Sequence, residues 1–244
     1  MPVRFENFEY SFFRKGKPVF APSERGRRIG SDIKKKIEHV VEFPSFYYHL
    51  RRGGHVAALH EHRSNVFFAR LDVERFFYSI GRNRVERILK EIGIERPSHY
   101  ARWSTVKNPF GNPSYAVPYG FVQSPIIATL VLDRSPLGSL LRSLDQSISV
   151  SVYVDDISLS SSDPTVLLAA VQRVREAFAA SGFSANESKT QGPARRIEVF
   201  NCDLSHGATT VTLARISDFE ATAHNEARWE AFQQYRAKVE SGNL

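Results

Sequence analysis

"SVYVDDISLS" (residues 151–160) sets Asp155 and Asp156 side by side in a run that is otherwise apolar or small and polar. Strands disfavour aspartate, and a carboxylate taken from water without a partner is driven toward its neutral form. The pair is therefore either a plain surface turn or a site for which the rest of the chain supplies a cation. Serine and valine alternate before it ("SISVSVYV", 147–154), and "DDISLSS" (155–161) resumes the pattern after it. The alternation predicts a hairpin with the two aspartates at its tight turn.

Working outward, "NVFFARLDV" (65–73) reads as a second strand, apolar and aromatic, ending on Asp72. "NRVERILKEIG" (83–93) has helical spacing at Val85, Ile88, Leu89 and Ile92, with Gly93 as its stop. "KNPFGNPSYAVPYGF" (107–121) is loop or hairpin by its Pro, Gly and Asn content. One helix is expected from Gln123 to Leu144, started by Ser124-Pro125. "PTVLLAAVQRVREAFAASG" (164–182) is an amphipathic helix closed by Gly182. "RIEVFNCDLS" and "ATTVTLARI" form a strand pair joined at His206-Gly207, and the tail from Ser217 is helical, anchored by Phe219, Trp229, Phe232 and Tyr235.

Strand, helix, helix, hairpin, helix, strands is the order of an α+β layer built on a split βαβ, or ferredoxin-like, unit. In such a sheet the strand ending on Asp72 can lie beside the aspartate hairpin, which gathers three carboxylates at one edge. An oxygen-only set suits a hard cation such as Mg²⁺, which also takes phosphate oxygens. Two such ions about 3.5–4 Å apart can clamp an in-line phosphoryl displacement.

Composition narrows the setting. The chain has 244 residues, a formal charge of +7 and one cysteine, Cys202, so no internal disulfide is available and a reducing, cytoplasmic location is expected. No apolar run reaches the ~20 residues that span a bilayer, and "MPVRFENFEYSFF" lacks the pattern of a signal peptide. Nine basic residues fall between Arg14 and Lys36. They read either as the solvated face of a helix in "SDIKKKIEHVVEF", capped by Ser31 or Asp32, or as a cationic surface for phosphate. His55, His60 and His62 cluster in "RRGGHVAALHEH", but with no cysteine or carboxylate set beside them they do not make a zinc site.

The ordered motifs resemble a bacterial reverse transcriptase of the group II intron and retron lineage. "LDVERFFYSI" resembles that family's first palm motif, "PYGFVQSPIIATLVL" its second, "YVDD" its third and "NESKT" its fourth, all in the family's order. The resemblance implies a right-hand polymerase fold with fingers and a ferredoxin-like split βαβ palm. It divides the chain into a basic fingers-like region over 1–64, a palm over 65–215 with a fingers insertion about 93–117, and a helical tail over 216–244. It implies RNA-directed DNA synthesis with two Mg²⁺ ions, Mn²⁺ as a substitute. Asp72, Asp155, Asp156 and the carbonyl of Val73 would hold the metals. Lys189 would stand near the leaving pyrophosphate, its alternative being a solvated loop lysine. Phe77 would block a 2′-hydroxyl, unless Phe76 and Phe77 are opposite faces of a strand and one is core. Tyr119, Gly120, Gln123 and Ser124 would shape the nucleotide pocket, with Arg75 nearby, and Arg27 or Arg28 together with His60 or Arg63 would meet the triphosphate.

The chain also departs from that pattern. Tyr119 stands where the family often has glutamine, and Asn201-Cys202 where its primer grip usually has Leu-Gly. Few residues follow, so the thumb is expected to be reduced or absent. A defence-associated enzyme is the nearest group, with deoxynucleotides, a non-coding RNA template and a DNA product as partners, and a homo-oligomer or second subunit completing the channel. Untemplated or protein-primed synthesis, and a non-catalytic nucleic-acid-binding subunit, are the alternatives.

Overall fold

The computed structural model describes residues 7–222 and 225–244. The first six residues of the stretch bearing on a signal peptide, and two residues of the tail, lie outside the described residues. In chain order the elements are β1 (Phe8–Arg14), β2 (Lys17–Pro22), α1 (Glu24–Val40), α2 (Gly54–His62), β3 (Phe67–Asp72), α3 (Phe76–Ser79), α4 (Arg82–Glu91) and α5 (Pro97–Trp103). There follow β4 (Val106–Lys107), β5 (Tyr115–Ala116), α6 (Ser124–Asp133), α7 (Pro136–Arg142), β6 (Ser149–Tyr153), β7 (Asp156–Ser161) and α8 (Pro164–Ala180). The last are β8 (Gln191–Ala194), β9 (Arg196–Val199), β10 (Cys202–Ser205), β11 (Ala208–Val211), α9 (Leu213–Thr222) and α10 (Glu226–Glu240).

Contacts group these into two compact units that interleave along the chain. The first comprises 1–44, 74–139 and 179–183, the second 45–73, 140–178 and 184–244.

In the first unit, β1 and β2 form a hairpin turned at Lys15-Gly16, both with positive φ, as a right-twisted two-residue turn requires. Ser23 caps α1 by accepting the Gly26 N–H, so the helix begins several residues before the expected Ser31 or Asp32. Helix α6 is apolar on all sides and buried throughout nearly its whole length. The single helix expected over 123–144 is two, α6 and α7. Pro136 cannot continue the hydrogen-bond ladder, and a Cβ on Gly138 would meet the Asp133 carbonyl oxygen at 2.3 Å.

In the second unit, an antiparallel sheet runs in the order β6-β7-β3-β8. Its first strand in the chain, β3, lies between the third and the fourth, which is the split βαβ arrangement. A separate sheet, β11-β10-β9, replaces the expected strand pair by three strands. The chain reverses at Phe200-Asn201, with φ of 56° and 59°, a left-handed pair that alternation cannot reveal. The helical tail is likewise two helices. Phe219 and Phe232 stack at 4.0 Å and join Leu59, Phe68, Val199, Cys202 and Val211 in one core cluster.

Candidate active site

Three carboxylates converge at one end of the β3–β7 pair. The register sets Asp72 directly opposite Asp156, and Asp155 occupies the turn that joins β6 to β7. One oxygen from each of the three lies within 4.8 Å of the others. Main-chain bonds lock the ends together: the Val73 N–H donates to the Asp155 carbonyl at 3.0 Å, and the Asn186 N–H donates to the Asp72 carbonyl at 2.8 Å.

Like charges this close repel, so each needs a counter-charge. Lys189 supplies one, its Nζ lying 3.2 and 3.4 Å from the two oxygens of the buried Asp72. The loop that carries it is wound round Asn186, whose carbonyl accepts the N–H groups of Lys189 and Thr190 and the Thr190 hydroxyl. Arg70 supplies another, its Nε and Nη2 reaching Oδ1 of Asp156 at 2.6 and 2.5 Å. Burial pushes the Asp156 carboxyl up to about 6. Arg70 pulls it back, while the charges of Asp155 and Asp72 add to the rise. The donor set is carboxylate oxygen with the Val73 carbonyl adjoining in the chain, which suits a hard divalent cation.

The first unit holds most of the remaining site candidates. Phe76 and Phe77 are not on a strand but in the single turn of α3, entered through Arg75 in the left-handed region, and both are buried. Phe77 packs edge-on against Tyr119 with ring centroids 4.6 Å apart, while Phe76 meets Phe183 at 5.5 Å. Lys17 donates to the Tyr119 hydroxyl at 3.3 Å. Gly120 has φ of +104°, and a Cβ there would meet the Phe20 carbonyl oxygen at 2.2 Å, so its glycine serves a close approach to β2. Gln123 is buried and donates to the Trp103 carbonyl and the Ser104 hydroxyl, and Ser124 donates to the Pro118 carbonyl. Arg75 lies over the Phe110 ring at 4.3 Å, Arg27 donates to the Pro22 carbonyl at 3.2 Å, and both Arg27 and Arg28 are exposed.

In the second unit Arg63 donates to the Ser241 carbonyl and to Asn243, tying down the tail. His60 reaches the Val239 carbonyl at 2.9 Å and His55 the Tyr235 hydroxyl at 3.3 Å. His62 is fully buried between the hydroxyls of Ser160 and Ser151, at 2.7 and 2.8 Å, and burial holds it neutral, with its pKa lowered to about 3.

A family model described as "Reverse transcriptase (RNA-dependent DNA polymerase)" matches residues 14–203, a span that contains all three aspartates and Lys189. The chain belongs to the reverse transcriptase family. Among solved structures, the foamy viral protease-reverse transcriptase in complex with RNA/DNA hybrid is similar at a TM-score of 0.55 and 13% identity, over 92% of this chain and 26% of that one. The same viral protein's dRH form with double-stranded DNA gives 0.54 and 14%, over 91% and 34%. Telomerase from Candida albicans, with a fragment of telomeric RNA, gives 0.51 and 12%, over 78% and 37%. At these identities the likeness is one of fold, and the chain spans 26% to 37% of the length of these proteins. No curated protein matches the chain.

Two residues at the carboxylate centre escape sequence reasoning. Arg70 stands two positions before Asp72, and the period of a strand puts both on one face beside Asp156. That signal was present in "FARLD". His49 is the second. Val154, β-branched yet held at φ of 62°, donates its N–H to His49 Nδ1 at 3.0 Å. This bond supports a backbone conformation that valine resists, one residue before Asp155. The two positions are far apart in the sequence, and no local pattern links them. Among the described residues, no helix is long and apolar enough to cross a membrane.

Proposed function

We propose that this reverse transcriptase extends a primer with deoxynucleotides on an RNA template, using two divalent ions held by Asp72, Asp155, Asp156 and the Val73 carbonyl. The observation that carries the reading is the convergence of three carboxylates within 4.8 Å across paired strands, with Asp72 opposite Asp156. When bound, the ions lower the charge barrier between a primer hydroxyl and an incoming triphosphate and steady the leaving pyrophosphate. The chain's own residues do the rest. Arg70 fixes the direction of the Asp156 carboxylate, and His49 fixes the turn that carries Asp155. Lys189 holds a proton-bearing ammonium beside Asp72, where it can offset charge on a departing phosphate. Phe77, wedged against Tyr119, is the candidate gate against a ribose hydroxyl. Arg27, Arg28, Arg63, Arg75, Phe76, Gly120, Gln123 and Ser124 are the proposed nucleotide contacts.

The motif set favours a bacterial enzyme of the retron and group II intron lineage. We place its template among structured non-coding RNAs and its role in antiviral defence, in the cytoplasm.

The test is incorporation of labelled deoxynucleotides on an RNA template with Mg²⁺. Asp72→Asn and Asp155→Asn should each reduce it at least a thousandfold, as loss of a metal ligand does at such centres. Wild-type incorporation by either folded variant removes the assignment.

A further inference from the structure

The first unit contains a second concentration of positive charge that the polymerase reading does not use. Arg84, Arg87 and Arg134 line a cavity of about 290 Å³ bounded by α4, the α6–α7 junction and the segment just after α8. Arg84 is half-buried. Its guanidinium lies over the Phe183 ring at 4.7 Å, and among the described residues it meets no carboxylate or carbonyl acceptor. Arg87, one turn along the helix, is also without an ion pair among the described residues. Burial and the repulsion of Arg87 both act against the Arg84 charge. Glu91 is the one acid among the lining residues and bridges to none of the three arginines, of which only Arg134 has an ion pair among the described residues, with Asp133 at 3.7 Å.

A guanidinium that is desolvated, repelled by its neighbour and given no acceptor costs stability unless something outside the chain completes it. The cavity adds hydroxyl chemistry of the matching kind. Ser181 is buried and accepts the Leu137 N–H at 2.8 Å, while its own proton has no acceptor among the described residues. A planar fork of donors with a free hydroxyl beside it matches the oxygens of a tetrahedral oxyanion.

We propose that this cavity is a phosphate-binding site, with Arg84 as its central ligand and Arg87, Arg134 and Ser181 around it. The phosphate is either that of a nucleic-acid backbone or a free one, as in pyrophosphate, and the two sources leave different signatures.

The test uses the full chain in EDTA, without deoxynucleotides, so its outcome is independent of the polymerase assignment. Inorganic pyrophosphate is titrated while thermal unfolding is followed. A blunt RNA–DNA duplex is titrated at several salt concentrations. Arg84→Met keeps a long side chain over Phe183 and removes the charge, while Arg87→Gln, at an exposed position, guards against a folding defect in the first variant. With pyrophosphate absent, Arg84→Met should unfold at a higher temperature than wild type, because a half-buried unpaired charge is gone. Wild type should gain stability saturably with pyrophosphate, and each variant should lose that response wholly or in part. If the duplex-binding slope against salt also falls by about 0.9 per arginine removed, the source is the nucleic-acid backbone. An unchanged slope with a lost pyrophosphate response identifies free phosphate. The proposal is overturned if pyrophosphate shifts wild type and both variants equally, or if it shifts none of them and the duplex slope is unaltered.

Discussion

At the scale of single residues, the centre sets three carboxylates against cations that include Lys189 and Arg70. Asp72 is only 2% exposed and leans on the Lys189 ammonium, which is itself 42% exposed in its side chain. Lys189→Met should therefore destabilise the metal-free protein by about 1–2 kcal/mol, since the partner's exposure screens part of the pair. Saturating Mg²⁺ should erase most of that loss, because the metal takes over the neutralisation of Asp72. Thermal unfolding with and without Mg²⁺ checks this, and an equal deficit in both conditions would show that Lys189 only packs. Phe77 needs a different readout. It is buried against Tyr119, so Phe77→Ala should cost about 3–5 kcal/mol in stability whatever its role. The ratio of ribonucleotide to deoxynucleotide efficiency is insensitive to how much protein is folded, and it should rise at least tenfold if the ring is a steric gate. An unchanged ratio makes Phe77 core. The aspartates were legible because charge inside a strand is anomalous by itself. His49 was not, because its part depends on the φ of one valine, which no residue spacing encodes.

At the scale of elements, period was a good guide to type and a poor one to ends. β3, β6, β7, α4 and α8 fall where alternation or helical spacing puts them. The misses have physical causes: a cap at Ser23 ahead of the apolar pattern, a proline break at Pro136, and a left-handed pair at Phe200-Asn201. The serines of β6 and β7 hold a further lesson. Alternation identifies the strands, but it cannot tell that Ser151, Ser158 and Ser160 are buried. His62 and Asn65 cover that face, Asn65 donating to Ser149 and Ser160. With its pKa lowered to about 3, His62 is neutral in the folded protein while the unfolded chain titrates near 6.5. Its contribution to stability is thus complete above pH 6.5 and is lost progressively as pH falls toward 3. Wild type should lose up to ~1.4 kcal/mol per pH unit more steeply than His62→Gln over that window. Denaturant unfolding at pH 7, 6, 5 and 4 measures it, and parallel curves for the two proteins would show that His62 does not carry this acid sensitivity.

At the scale of the whole molecule, connectivity decides how metal binding is felt. The three aspartates and Lys189 belong to the second unit, yet neither unit is one stretch of chain. The backbone passes between them at 44/45, 73/74, 139/140, 178/179 and 183/184. Unfolding either unit alone would leave the other with cut ends held by strands and helices that no longer exist, so a single cooperative transition is expected. Asp72 and Glu74 lie on opposite sides of one such passage, which couples the carboxylate centre to the fold on both sides of it. Metal bound at the aspartates should therefore raise the midpoint of the whole transition, not of a part. At Mg²⁺ a hundredfold above its dissociation constant, linkage gives about 2.7 kcal/mol. For a chain of this length that is roughly 5–10 °C. Asp155→Asn removes one of three mutually repelling carboxylates, so without metal it should unfold at or above the wild-type temperature, and it should gain little when Mg²⁺ is added. Calorimetry of both proteins across a Mg²⁺ series makes the comparison. Two resolved transitions, with Mg²⁺ moving one of them alone, would break the link between interleaved connectivity and cooperativity. Equal Mg²⁺ shifts in wild type and Asp155→Asn would instead remove the metal from the aspartates.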